Sequence, residues 1–133
     1  MTKAIRIAAA VLENRKGQVL LVRKRGTQAF MQPGGKMEPG ETPRAALARE
    51  LMEELNVSLP PAVFEPMGRI SALAANEPGW IVEAELFHAD WDGEVVAAAE
   101  IDAVRWVDPR YPGDLPLAPL TRDSVLPLCC ETT

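Results

Sequence analysis

Cysteine is scarce in this chain. The two cysteines, Cys129 and Cys130, are neighbours near the end of the sequence. Adjacent residues rarely reach disulfide geometry without strain, and two thiols alone make a poor zinc site. That leaves the ordinary thiols of a cytosolic protein. Histidine is scarcer still: His88 stands alone in a strand-like run, and we assign it a structural role and no catalytic one. Positive charge is also short. Fourteen Lys and Arg face 19 Asp and Glu, for a net charge of -5. Bulk electrostatics therefore favour neither duplex nucleic acid nor an anionic membrane as a partner, and a phosphorylated ligand would need local cations. No apolar run is long enough to span a bilayer. The opening "MTKAIRIAAAVLEN" is interrupted by Arg6 and Glu13 and reads as a strand, not a signal peptide. The expected location is cytoplasmic.

What is present fits one soluble domain spanning residues 1–133, with 47% apolar and 25% charged residues. The runs "AIRIAAAVL" and "QVLLVRKR" read as strands joined by a turn, "ENRKG", that Gly17 closes. "MGRISALAA" and "WIVEAELFHAD" read as a second hairpin around "NEPG", and Ala103 to Val107 as a further strand. A short helix is expected after Pro119, its length limited by Pro127. Strands on both sides of one central helix predict an α/β fold, a mixed sheet with helices packed on it.

The central helix has clear boundaries. Thr42 suits its cap, Pro43 its first position and Asn56 its end. At about 100° per residue, Leu47, Leu51 and Leu55 form a buried row with Ala48 and Met52 beside it. Glu50, Glu53 and Glu54 share an adjoining arc with Ala46, and Arg49 lies at its edge. Such an acidic arc fits a solvated helix face, or a site for a hard divalent cation such as Mg²⁺, with Mn²⁺ as the alternative. The preceding loop favours the cation. Gly34 and Gly35 let the backbone approach a ligand closely, and Lys36 can offer a charge to a phosphate.

This segment resembles the Nudix box of the MutT-like Nudix hydrolases. Gly35, Glu41, Arg49, Glu50, Leu51, Glu53, Glu54 and Val57 meet eight of the nine fixed positions of that pattern. Asn56 stands where the pattern has glycine, and asparagine is the next-best residue for a left-handed helix end. The resemblance implies an α/β/α sandwich with a mixed central sheet. It implies Mg²⁺-dependent hydrolysis of nucleoside diphosphate derivatives, with a nucleoside triphosphate the leading substrate, by water attack at phosphorus. It also implies roles for individual residues: Glu50, Glu53 and Glu54 as metal ligands together with the Gly34 carbonyl, Arg49 as the residue that orients them, and Glu41 in support. Glu50, Glu53 and Arg49 are the catalytic candidates within the box. A homodimer is compatible with the family. The alternative is a non-catalytic nucleotide-binding module on the same fold.

Outside the box, Arg23, Lys24 and Arg25 fit either phosphate contacts or a solvated strand end; Arg23, with Lys36, is the substrate-binding candidate. Phe30 and Trp80 read as packing residues with base stacking as the alternative, and Trp91 and Trp106 as packing residues. Glu100 precedes the last strand, six residues before Trp106. That spacing resembles the extra metal glutamate of the MutT-like branch, so Glu100 joins the metal and catalytic candidates, with Asp102 and Glu94 as rivals.

Overall fold

The computed structural model describes residues 3–74 and 77–131. The strands are β1 (Lys3–Glu13), β2 (Val19–Lys24), β3 (Phe30–Met31), β4 (Gly34–Lys36), β5 (Glu65–Leu73), β6 (Trp80–Asp90) and β7 (Ile101–Val107). The central helix α1 spans Pro43–Leu55. A wide π-helical turn, Thr121–Val125, runs into α2 (Leu126–Glu131).

The seven strands form one sheet in the order β3-β2-β1-β6-β5, with β4 paired to β1 and β7 to β2. It is the mixed sheet of an α/β fold: β1 and β6 run parallel from Lys3↔Trp80 to Glu13↔Asp90, and the other pairs are antiparallel. Gly17 closes the β1–β2 turn with φ 75°. The two strands then part, sharing only Glu13↔Val19, and β2 pairs with β7. The β5–β6 hairpin forms as its sequence suggests; Ala75 and Asn76 of its turn lie outside the described residues.

Side chains alternate across a strand, and β1 uses both faces. Ala8, Ala10 and Leu12 pack with Leu20, Val22, Leu47, Leu51 and Leu55 on the α1 side. Ala9 and Val11 pack with Val19, Leu21, Leu120, Val125 and Leu126 on the α2 side. The result is an α/β/α sandwich.

Two local expectations are corrected. The last strand begins at Ile101, before Ala103, because buried Ile101 pairs with Lys24 past a bulge in β2. Pro127 does not end the helix at the chain's end: α2 continues through it to Glu131. The wide turn before it, where the Leu126 N–H bonds to the Thr121 carbonyl, absorbs the missing proline donor. Among the described residues no helix is long and apolar enough to cross a membrane.

Candidate active site

Helix α1 starts and stops where its sequence says. The Thr42 hydroxyl accepts the Ala45 N–H at 3.1 Å, and Asn56 adopts the left-handed conformation at φ 56°. The Asn56 and Val57 amides fold back on the Met52 and Leu51 carbonyls at 3.1 and 3.2 Å. The buried stripe is rotated from the expected one. Met52 is 43% exposed, while Ala46 is fully buried. The rotation carries Glu54 inward to 7% exposure.

Of the glycines before the helix, Gly34 is sterically required by backbone, and Gly35 leaves room for the Glu50 carboxylate. A side chain at Gly34 (φ 145°) would begin 2.2 Å from the Ala8 carbonyl oxygen. At Gly35 it would begin 2.6 Å from the Glu50 carboxyl carbon. The loop thus lies flat on β1 and leaves one cradle, filled by the Glu50 carboxylate.

Arg49 organises the acids around it. Its guanidinium grips Glu41 through both carboxylate oxygens at 2.8 and 2.9 Å. It also donates to Glu50 at 3.0 Å, Glu53 at 3.4 Å and the Lys36 carbonyl at 3.2 Å. The bond to Arg49 holds the Glu41 carboxyl down at about 2. The compensation for crowded carboxylates is therefore partly internal, one planar cation shared among them.

Glu54 lies outside that grip. Burial, then the nearby Glu50 and more weakly Glu100, push its carboxyl up to about 7, against the Lys24 charge and the Gly34 backbone amide. Its Oε1 is buried with no hydrogen-bond partner. Such an orphaned oxygen in a native fold calls for an explanation. Glu50 and Glu100 are the carboxylates near it, so the donors on this side are oxygen, the kind that suits a hard divalent cation.

Glu100 reaches this region by backbone anchoring. The loop before it is tied to the end of α1 by the Val96 N–H on the Leu55 carbonyl (3.0 Å) and the Ala98 N–H on the Glu54 carbonyl (2.9 Å). Ala99 then turns at φ 52°, a conformation that non-glycine residues adopt infrequently. The rival Asp102 is committed elsewhere, to Arg23 Nε at 2.9 Å.

The remaining sequence candidates separate. Arg23 is engaged by Asp102 and stacks over the Phe30 ring at 5.4 Å. Lys36 is exposed, and only its carbonyl joins the Arg49 network. Phe30 is core, and Trp91 and Trp106 pack against the α1-side core. Trp80 is half-buried beneath the Lys3 ammonium at 5.4 Å. Lys24, one of three cations weighed at the end of β2, is the one whose charge acts on Glu54. Gln32 drew no notice in the sequence, yet it is 7% exposed with its amide nitrogen unpartnered. A lone Gln before Pro-Gly-Gly gives no periodic signal.

The family model for the NUDIX domain matches residues 3–129. The chain belongs to the Nudix family. This Nudix chain is 33% identical over 122 residues to the CTP pyrophosphohydrolase of Escherichia coli K12, covering 88% of the chain and 85% of that enzyme. It is 44% identical over 59 residues to the 8-oxo-dGTP diphosphatase of Haemophilus influenzae, where the match spans 41% of the chain and 43% of that enzyme. The solution structure of the Escherichia coli ORF135 protein superposes with a TM-score of 0.68 at 31% identity, covering 96% of this chain and 87% of that one. The MutT protein of Methanosarcina mazei Go1 shares the fold, with a TM-score of 0.69 at 24% identity over 82% of this chain and 80% of that one. As a Nudix pyrophosphohydrolase, the protein is a hydrolase of phosphorus-containing acid anhydrides.

Proposed function

We propose that this Nudix chain, acting as one domain over residues 1–133 in the cytoplasm, is a Mg²⁺-dependent pyrophosphohydrolase. Its substrate class is a nucleoside triphosphate or another nucleoside diphosphate derivative, cleaved by water attack at phosphorus. The observation that carries the reading is Glu54: a buried carboxylate with an unpartnered oxygen, pushed up to about 7 beside Glu50 and Glu100. A carboxylate so placed favours losing its proton to a cation over bearing an uncompensated charge. The name of the Escherichia coli relative, CTP pyrophosphohydrolase, supports the substrate class.

Glu50, Glu53, Glu54 and Glu100, with the Gly34 carbonyl, are the residues proposed to hold Mg²⁺, or Mn²⁺ in its place. The bound cation would neutralise pyrophosphate charge and make its water more acidic. Arg49 fixes the directions of Glu50 and Glu53, so that little reorganisation is needed when substrate arrives. Glu53 has a side chain 55% exposed and is open to water, which suits it to accept a proton. Lys24 brings positive charge to Glu54, and the exposed Lys36 side chain is the proposed contact for an anionic substrate. Arg23 joins them only by leaving Asp102.

The test is a panel of nucleoside triphosphates and nucleoside diphosphate derivatives assayed with and without Mg²⁺, reading released pyrophosphate and phosphate. Hydrolysis in ¹⁸O-labelled water identifies the phosphorus attacked. The expected result is Mg²⁺-dependent release of a nucleoside monophosphate and pyrophosphate. Binding without turnover across the panel would replace this reading with a non-catalytic nucleotide-binding module.

A further inference from the structure

A second group of ligating side chains lies on the other face of the sheet. Leu12 points to the α1 side, so the alternation of β1 sends Val11 and Glu13 to the α2 side. In β6, Phe87 and Ala89 pack on the α1 side, so His88 and Asp90 face the α2 side. Parallel pairing then sets Glu13 beside Asp90 at the ends of the two strands. The Trp91 N–H on the Glu13 carbonyl, at 2.9 Å, closes that end.

Glu13, His88 and Asp90 each bring one ligand atom within 4.8 Å of the others. Among the described residues it is the only group of three His, Cys, Asp or Glu that does so. His88 Nε2 lies 2.8 Å from Glu13 Oε1 and 3.9 Å from Asp90 Oδ1. Two ligands on a tetrahedral Zn²⁺ with bonds of about 2.1 Å are about 3.4 Å apart. The two separations from His88 bracket that value, so the three ligand atoms lie at distances compatible with one shared ion. Glu13 and His88 of the group line a cavity of about 540 Å³, together with Val11, Val19, Lys16 and Arg110. The cavity leaves room for water or an anion to complete a coordination shell.

We propose that Glu13, His88 and Asp90 form a binding site for a borderline divalent cation of the Zn²⁺ type, separate from the hydrolytic carboxylates. The donors decide the metal. One imidazole nitrogen with two carboxylate oxygens suits Zn²⁺ or Co²⁺, whereas the all-oxygen set on α1 suits Mg²⁺. Lys16 and Arg110 on the cavity wall favour an anion as the remaining ligand. The site joins the ends of two central strands, so its occupation would also stabilise the sheet.

The experiment strips the full chain of divalent ions and titrates it with Co²⁺ in Mg²⁺-free buffer. The visible bands of the nitrogen-bound ion are followed, and Zn²⁺ is then added as competitor. The wild type should bind one such Co²⁺ per chain and release it to Zn²⁺. His88→Gln should weaken binding at least tenfold and lose the nitrogen-dependent bands. Asp90→Asn should weaken it severalfold; that side chain is 84% exposed, so this variant decides the matter even if His88→Gln does not fold. Glu54→Gln should titrate as wild type. No saturable Co²⁺ bands in the wild type, an unchanged titration in Asp90→Asn, or loss of the bands in Glu54→Gln would each overturn the proposal. The readout is occupancy and not turnover, so its failure leaves the hydrolase reading standing.

Discussion

The two faces of the sheet carry two kinds of acidic cluster, assembled in different ways. On the α1 side, one helix supplies Glu50, Glu53 and Glu54, and a single guanidinium bonds Glu50 and Glu53 but not the buried Glu54. On the α2 side, Glu13, His88 and Asp90 come from two strands far apart in sequence, and parallel register brings them together without any arginine. The first cluster is tense: one oxygen has no partner, and that carboxyl is pushed up to about 7. In the second, an imidazole bonds one carboxylate directly. The difference teaches that acids held by an internal cation and still left short of a partner point to an external cation and to chemistry. For the acids gathered around His88, what is proposed is cation binding and no step of the hydrolysis.

The sharpest way to break this comparison is Glu54→Gln. It preserves shape and should lower Mg²⁺-dependent turnover by about two to three orders of magnitude, while His88→Gln leaves turnover near wild type. Steady-state kinetics of both variants on the same nucleotide check it, and equal losses would erase the distinction between the faces.

The metal-free protein carries the next largest effect. The Glu54 carboxyl is raised from 4.5 to about 7 by folding. Between those values the folded chain keeps a proton that the unfolded chain has released. This contribution is therefore complete below pH 4.5, falls as pH rises and is gone above about 7, a change on the order of 3 kcal/mol. Denaturant unfolding in EDTA should show that slope, and Glu54→Gln should lack it and be at least as stable as wild type near neutral pH.

Arg49→Lys tests the internal cation itself. An ammonium cannot grip Glu41 through two oxygens and also reach Glu50, so turnover should fall about ten- to a hundredfold and the thermal midpoint in EDTA should drop. A variant with wild-type kcat would remove Arg49 from the positioning role.

A smaller effect separates Glu100 from Asp102. Glu100→Gln should raise the Mg²⁺ requirement or lower turnover about tenfold. Asp102→Asn frees Arg23 and should stay near wild type; the reverse order in a Mg²⁺ titration would move the assignment to Asp102. Asn56→Gly should matter least, changing stability by less than about 1 kcal/mol with kcat intact, as urea unfolding and a single rate measurement will show.

The local pattern made much of the α1 side legible. Helix caps, helical spacing and the two glycines act within a few residues, so Thr42, Asn56, Gly34 and Gly35 could be read directly, and the family resemblance rests on Gly35, Glu41, Arg49, Glu50, Leu51, Glu53, Glu54 and Val57. In the sequence Glu100 is a candidate only through a spacing that resembles that of the MutT-like branch, and in the fold its charge acts on Glu54. The strand pattern left β7 two residues short, because Ile101 joins the sheet only through its pairing with Lys24. A proline rule failed at Pro127, because a wide turn beside it accommodates the missing donor.

What the sequence by itself determined was therefore the set of groups that one helix and one loop can present: the acidic arc, the glycine cradle and the ends that aim them. Only the tertiary structure decided which of those acids lost its water. Rotation of the helical stripe toward Ala46 buries Glu54 and exposes Met52, an outcome set by the sheet beneath and absent from the helical period. It also decided that Arg23 answers Asp102 while Lys24 answers Glu54, and that Glu13 meets His88 across parallel strands. The physical reason is the same in each case. Burial, Coulomb interaction and strand register depend on distance in space, and residues such as Glu13 and His88 are neighbours only after folding.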